Sequence, residues 1–382
     1  MAVPVKALPP LSLYVHIPWC VKKCLYCDFN SHPLRNDVSP KDYVDTLIND
    51  IEAHRCQIQN RQIQSIFFGG GTPSVFDPVC IGTIIKHVQE NFSLCVDAEI
   101  TLEANPGASD QAKFEGYRGA GVNRLSIGVQ TTHDRLLEKL GRVHSGCDAI
   151  NAISDAKNIF ENINVDLMFA LPGQQINELK TDLSKVFEFV PEHLSIYQLT
   201  IEPNTWFYRY PPKIPDDDLA SEMQFEIESI AHEFGYEQYE VSAFAKPNRQ
   251  CSHNINYWEF GDYLGIGAGA HSKLSGTEGI VRIVKHKQPK RYILGVSSGD
   301  AIASSQIIAA NDLPFEFFMN ALRLNSGISR DVFETRTGLP VDSVDSCLRA
   351  LEHRGLMTLS DSVIKTTPMG MRFLNEVLQE FL

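Results

Sequence analysis

The chain of 382 residues is longer than one ordinary hydrophobic core supports, so at least two domains are expected. Hydrophobic residues at 43% and charged residues at 21% exclude a largely disordered or collagen-like chain, and the formal charge of −13 disfavours non-specific binding to a phosphate backbone. No apolar run approaches the ~18 residues that a membrane-spanning helix needs, and Met1 to Pro10 hold no apolar signal core, so a cytoplasmic protein without an integral membrane segment is expected.

From Leu11 to about Thr200, short β-rich runs alternate with amphipathic helical stretches. The pattern predicts strands over 11–17, 64–68, 98–102, 124–129, 164–168 and 193–199. Between the first two lies a helix with Ser39 as N-cap and Pro40 at its first position, its apolar face formed by Val44, Leu47, Ile48 and Ile51. Similar helical patterns cover 109–118, 148–160 and 175–189. Six β-then-α units predict parallel strands with crossover helices, an α/β fold of the partial (β/α)6 TIM-type barrel rather than a full eightfold one. Polar and Gly-rich residues follow successive strands: Gly69-Gly70-Gly71-Thr72, then Glu103 and Asn105, then Gln130, with Asp166 near the end of the fifth. In parallel barrels that rim is where ligands bind.

Beyond residue 200 the pattern loosens. A Pro- and Asp-rich stretch from Pro211 to Asp218 leads to a helix over 219–234, then a run over 236–244 and a Gly-rich segment over 261–269. Gly265 to Ala270 fits G-x-G-x-x-A, but His271 to Gly276 breaks any following helix, so dinucleotide binding is not expected. From about Asn311 helical patterns at 313–324, 329–337 and 341–354 precede a hairpin-like 357–365 and a last helix from Pro368, a winged-helix-like α+β arrangement. Acidic residues outnumber basic ones there, which argues for a cap or interaction domain rather than DNA binding. The expected division is a barrel core over 1–200, an extension over 201–310 and a C-terminal domain over 311–382.

Nine cysteines are present, six of them scattered singly. Cys20, Cys24 and Cys27 instead form C-x3-C-x2-C, which in a reducing compartment reads as metal or redox chemistry. Three thiolates can hold three corners of a [4Fe–4S] cube and leave one iron without a protein ligand. The alternative is zinc, with His16 or His32 completing a Cys3His set.

This triplet after a first strand, with a Gly-rich turn after the second, resembles the radical S-adenosylmethionine (SAM) superfamily. Leu13 to Cys20 and Phe68 to Ser74 are similar to its coproporphyrinogen III dehydrogenase-like branch, over nearly the whole chain. Decarboxylating members of that branch carry a further cysteine where Phe29 stands here, and a longer N-terminal extension. Both departures, and His253-Asn254-Ile255-Asn256-Tyr257-Trp258, are similar to the HemW-type heme chaperones.

The resemblance implies a [4Fe–4S] cluster on Cys20, Cys24 and Cys27, and SAM beside Tyr14, Tyr26, Gly70, Gly71, Thr72, Glu103, Gln130, Arg142 and Asp166. It also implies heme, with His253 as iron ligand; Cys251, His232 and His271 remain alternative donors. The function it implies is a heme chaperone that passes heme to an acceptor, a respiratory or other hemoprotein, with a homodimer as one arrangement and no nucleic-acid partner. The alternative is a radical SAM enzyme acting on a porphyrin precursor, such as the oxygen-independent coproporphyrinogen III oxidative decarboxylase.

Overall fold

The computed structural model describes residues 3–34, 38–58, 60–108 and 111–382. All six predicted strands are present: β1 (Leu11–Ile17), β2 (Ile63–Gly70), β3 (Leu94–Ala104), β4 (Arg124–Gln130), β5 (Ile163–Phe169) and β6 (His193–Gln198). They pair in parallel in that order. Strand periodicity divides β1 cleanly: Leu11, Leu13, Val15 and Ile17 enter the apolar core under the helices, which leaves Ser12, Tyr14 and His16 for the concave face.

The region after residue 200 does more than extend this sheet. After β7 (Glu237–Glu240) and β8 (Ala243–Ala245), which continue the β6 edge antiparallel, β9 (Asp262–Ile266) returns to pair in parallel with Leu11 to Val15. It is a seventh parallel strand, followed by an antiparallel flank of β10 (His271–Gly276), β11 (Gly279–Lys285) and β12 (Ile302–Ile307). The spatial order is β12-β11-β10-β9-β1-β2-β3-β4-β5-β6-β8-β7, and among the described residues the two ends do not pair. The result is an open, partial barrel. A buried ion cluster seats the added strand: the Asp262 carboxylate accepts from Arg61 Nη1 (2.6 Å), Lys273 Nζ (2.9 Å) and the backbone and hydroxyl of Ser275.

The helix after β1 is Pro40–Ala53 and follows Ser39, although the Ser39 side chain makes no capping bond. Gly146–Ile159 starts from a capping box between Ser145 and Asp148, two residues before the expected start. The helix expected over 109–118 is seen as Gln111–Gly119, its proposed first residues lying outside the described ones. Several helices were not anticipated, among them Pro78–Asn91, Pro289–Ser298 and Asp134–Leu140. A second core joins Leu313–Ala321, Arg330–Thr337 and Asp345–His353 to a small three-stranded sheet, and packs Phe317 against Phe260 at the barrel side.

Candidate cofactor site at the open end of the barrel

The C-terminal ends of the parallel strands surround a cavity of about 520 Å³. The cysteine loop forms one wall. Trp19–Cys20 pairs with His32–Pro33, and Leu25 is bonded through its backbone to Leu140 and Phe207, so the loop is fastened at both ends and in the middle. The opposite anchor is the glycine turn after β2: Gly71 N–H donates to Ile17 O and Thr72 N–H to Trp19 O, both at 2.8 Å. A Cβ on Gly71 would lie 2.6 Å from Trp19 O, and Gly70, at φ +117°, would press one into the His16 ring. Only glycine allows this approach.

Cys20, Cys24, Tyr26, Cys27, Gly70, Gly71, Thr72, Glu103, Gln130, Arg142 and Asp166 all line the cavity, so eleven of the thirteen sequence-derived site residues share one wall system. Two do not line it. Tyr14 lies on the concave face with its ring stacked beside Phe67 of β2, 6.3 Å between centroids, and is hydrogen-bonded through its hydroxyl to His16 Nδ1 at 3.0 Å. His253 lies deeper, in the helix Ser252–Trp258, which plugs the other end of the barrel.

The sulfurs are not bare. Thr72 Oγ1 donates to Cys20 Sγ at 3.5 Å, and Arg142 Nη1 donates to Cys24 Sγ at 3.6 Å. Burial pushes the Cys27 thiol up to about 11 and raises Cys20 as well, so both are protonated at pH 7. His16 cannot complete a zinc site as it stands. Its Nε2 donates to Asn30 O at 2.9 Å, its Nδ1 accepts from Tyr14, and burial lowers the ring to about 4, which leaves it neutral with both nitrogens engaged.

On the facing wall, Gly70 N–H donates to the Glu103 carboxyl, and Asp166 accepts from Ser126 Oγ (3.2 Å) and Asn164 Nδ2 (2.7 Å). Tyr197 Oη donates to Gln130 Oε1 at 2.8 Å. Arg124, fully buried with no hydrogen-bond partner at Nε, also faces the cavity. The sequence reading missed Arg124, Asn164 and Tyr197. Their signal was present in the period-2 alternation of β4, β5 and β6, where every second side chain faces the concave side.

At the floor, Glu99 accepts from the backbone N–H groups of Ser252 (3.1 Å) and His253 (3.0 Å) and holds the start of the plug helix. The His253 ring packs on Phe67 at 5.0 Å between centroids, with its Nδ1 2.9 Å from Ser65 Oγ. Asn254, one residue on, reaches the cavity.

Residues 14–186 match the radical SAM superfamily, and residues 308–373 match the HemN C-terminal domain. The heme chaperone HemW of Escherichia coli (strain K12) is 45% identical over 377 residues, which is 98% of this chain and 99% of that protein. The heme chaperone HemW of Bacillus subtilis (strain 168) is 34% identical over 380 residues, 97% and 99% of the two chains. Among solved structures, coproporphyrinogen III oxidase (HemN) from Escherichia coli, described as a radical SAM enzyme, superposes with a TM-score of 0.82 at 25% identity, covering 98% of this chain and 90% of that one.

Proposed function

The chain belongs to the HemW family within the radical SAM superfamily, and on that premise we propose that it binds heme and passes it to an acceptor protein. The scaffold for this holds a [4Fe–4S] cluster and SAM. One observation carries the cofactor part: three thiols on one fastened loop face a cavity walled by the glycine turn and by buried carboxyls. The donor set suits a cluster, being all sulfur, with both ring nitrogens of His16 committed elsewhere. When bound, the cluster supplies an iron without a protein ligand, at which the amino and carboxylate groups of SAM can chelate.

The chain's own residues then have separable jobs. Cys20, Cys24 and Cys27 anchor the cluster, and Gly70, Gly71 and Thr72 bring main chain to the methionine end of SAM. Glu103, Gln130 and Asp166 offer acceptors to its amino and ribose groups. Arg142 lies on the cluster side, where its positive charge balances thiolate, and Tyr26 closes the wall between two cysteines. Tyr14 acts indirectly, by orienting His16 under Gly70.

For heme, the reading assigns His253 as the iron ligand through Nε2. With Ser65 Oγ donating to Ser12 Oγ, the ring is the donor at Nδ1, and Nε2 keeps its lone pair. Burial lowers the ring to about 4, so the imidazole is neutral at pH 7, the form that ligates iron. Access requires the plug helix to leave the barrel floor, where Glu99 holds it. The acceptor is a hemoprotein, a homodimer is one arrangement of the chaperone, and the cytoplasm is its place of work, because the three free thiols need a reducing compartment. Among the described residues no helix is long and apolar enough to cross a membrane.

The decarboxylase reading is disfavoured by Phe29, which stands where those enzymes have a further cysteine and is 59% exposed. The test is anaerobic reconstitution followed by heme titration and a coproporphyrinogen assay in parallel. Heme binding without turnover to protoporphyrinogen is the expected result. Multiple turnovers would overturn it.

A further inference from the structure

Resting on the cluster reading above, one feature of the cavity wall goes beyond it. Asn105 connects the two sulfur-bound groups. Arg142 Nη2 donates to Asn105 Oδ1 at 2.6 Å, and Asn105 Nδ2 donates to Thr72 Oγ1 at 2.8 Å. Thr72 and Arg142 are the groups that donate to Cys20 and Cys24.

With Cys20 as a cluster thiolate, which can only accept, the direction of every bond in this chain is forced. A guanidinium only donates, so the amide must turn its oxygen to Arg142 and its nitrogen to Thr72. The Thr72 hydroxyl oxygen, already accepting from Asn105, is left to spend its single proton on the Cys20 sulfur. Gly128 makes room for the arrangement. Its carbonyl accepts from Arg142 Nη2 at 2.5 Å, and a Cβ there would lie 2.9 Å from Asn105 Oδ1 and 3.3 Å from Arg142 Nη2.

We infer that Asn105 is a positioning residue that carries the hydrogen-bond polarity of Arg142 through Thr72 to Cys20, so that one guanidinium sets the donors on two of the three cluster sulfurs. Hydrogen bonds to cluster sulfurs stabilise the more negative, reduced state and raise the reduction potential. Asn105 thereby tunes the electron affinity of the cluster without touching it.

Asn105→Asp keeps an acceptor for Arg142 but offers Thr72 a second acceptor, which draws the hydroxyl proton away from Cys20. After anaerobic reconstitution, this variant should hold wild-type iron and show a midpoint potential shifted to more negative values. Thr72→Val, which removes the hydroxyl with no change of charge, should shift it the same way, and Thr72→Ser should restore the wild-type value. The added charge of Asp is separated by the double variant. If polarity travels through Thr72, Asn105→Asp shifts the potential much less in the Thr72→Val background than in the wild type. An equal shift in both backgrounds overturns the relay, as does a wild-type potential in Thr72→Val. A wild-type protein that takes up no iron overturns the cluster reading, and the relay with it. Iron-loaded variants at the wild-type potential overturn the relay alone.

Discussion

Gly70 N–H donates to Glu103 Oε2 at 3.2 Å and ties the turn after the second strand to the end of the third. The accepting carboxyl is pushed up to about 8, by burial first and by Asp166 second, so it is mostly protonated at pH 7. Asp166, Tyr14 and Tyr197 are the titratable groups turned toward it, and none is a cation. A cationic ligand reaching this wall favours the carboxylate. SAM binding at pH 7 should therefore release a proton from the wild type and none from Glu103→Gln, read by calorimetry in two buffers of different ionisation enthalpy. Equal proton release from both proteins would remove Glu103 from the site.

The same group sets a pH slope in the ligand-free protein. Its folded value lies above the ordinary 4.5, so the unfolded chain gives up its proton at lower pH than the folded one. Stability should fall as pH rises from about 4.5 to 8, and Glu103→Gln should flatten that part of the curve. Urea midpoints at pH 5 and pH 8 check the sign.

Removing one thiolate leaves two anchors for a cube that needs three. Cys24→Ala should lose the brown chromophore after reconstitution, while Cys56→Ala and Cys80→Ala keep it. Zinc without iron in the reconstituted wild type would end the cluster assignment.

His253→Ala removes a ring that packs on Phe67 and bonds Ser65, so about 2–4 kcal/mol of stability should be lost. If Nε2 ligates iron, the same variant shifts or abolishes the Soret band of the heme complex and leaves the cluster spectrum intact. An unchanged Soret position and affinity would exclude it as ligand.

The seventh strand depends on its buried charge cluster. Lys273→Met leaves the Asp262 carboxylate short of one of its cations in a dry site and should cost about 3–5 kcal/mol in urea unfolding. A loss under about 1 kcal/mol would mean that Arg61 and Ser275 suffice.

The parallel strands were legible because each is a short apolar run bounded by turn residues; the first matches from Leu11 to Ile17. The helix Pro78–Asn91 carries a signal just as plain, with Asp77 capping Val79 N and Ile81, Ile84, Ile85 and Val88 on one face, yet no helix was expected there. The strand Asp262–Ile266 is a different matter. Nothing in five residues announces a parallel partner some 250 positions earlier, and that pairing is decided by tertiary contact. Asn105 was visible as a rim residue. Its connection to both sulfur donors was not, since Thr72 and Asn105 follow two different strands and Arg142 follows the helix Asp134–Leu140, and they meet only in the fold.

The seat of Gly71 on the Trp19 carbonyl has a bearing on how variants there can be interpreted. Cys20 is the very next residue, so a side chain forced in at position 71 displaces the first cysteine of the triplet along with the turn. Weaker uptake of the sulfonium ligand by Gly71→Ala would then report a misplaced thiol rather than a lost main-chain contact. Iron content must be measured first in that variant, and the two halves of the site behave to a mutagenist as one part.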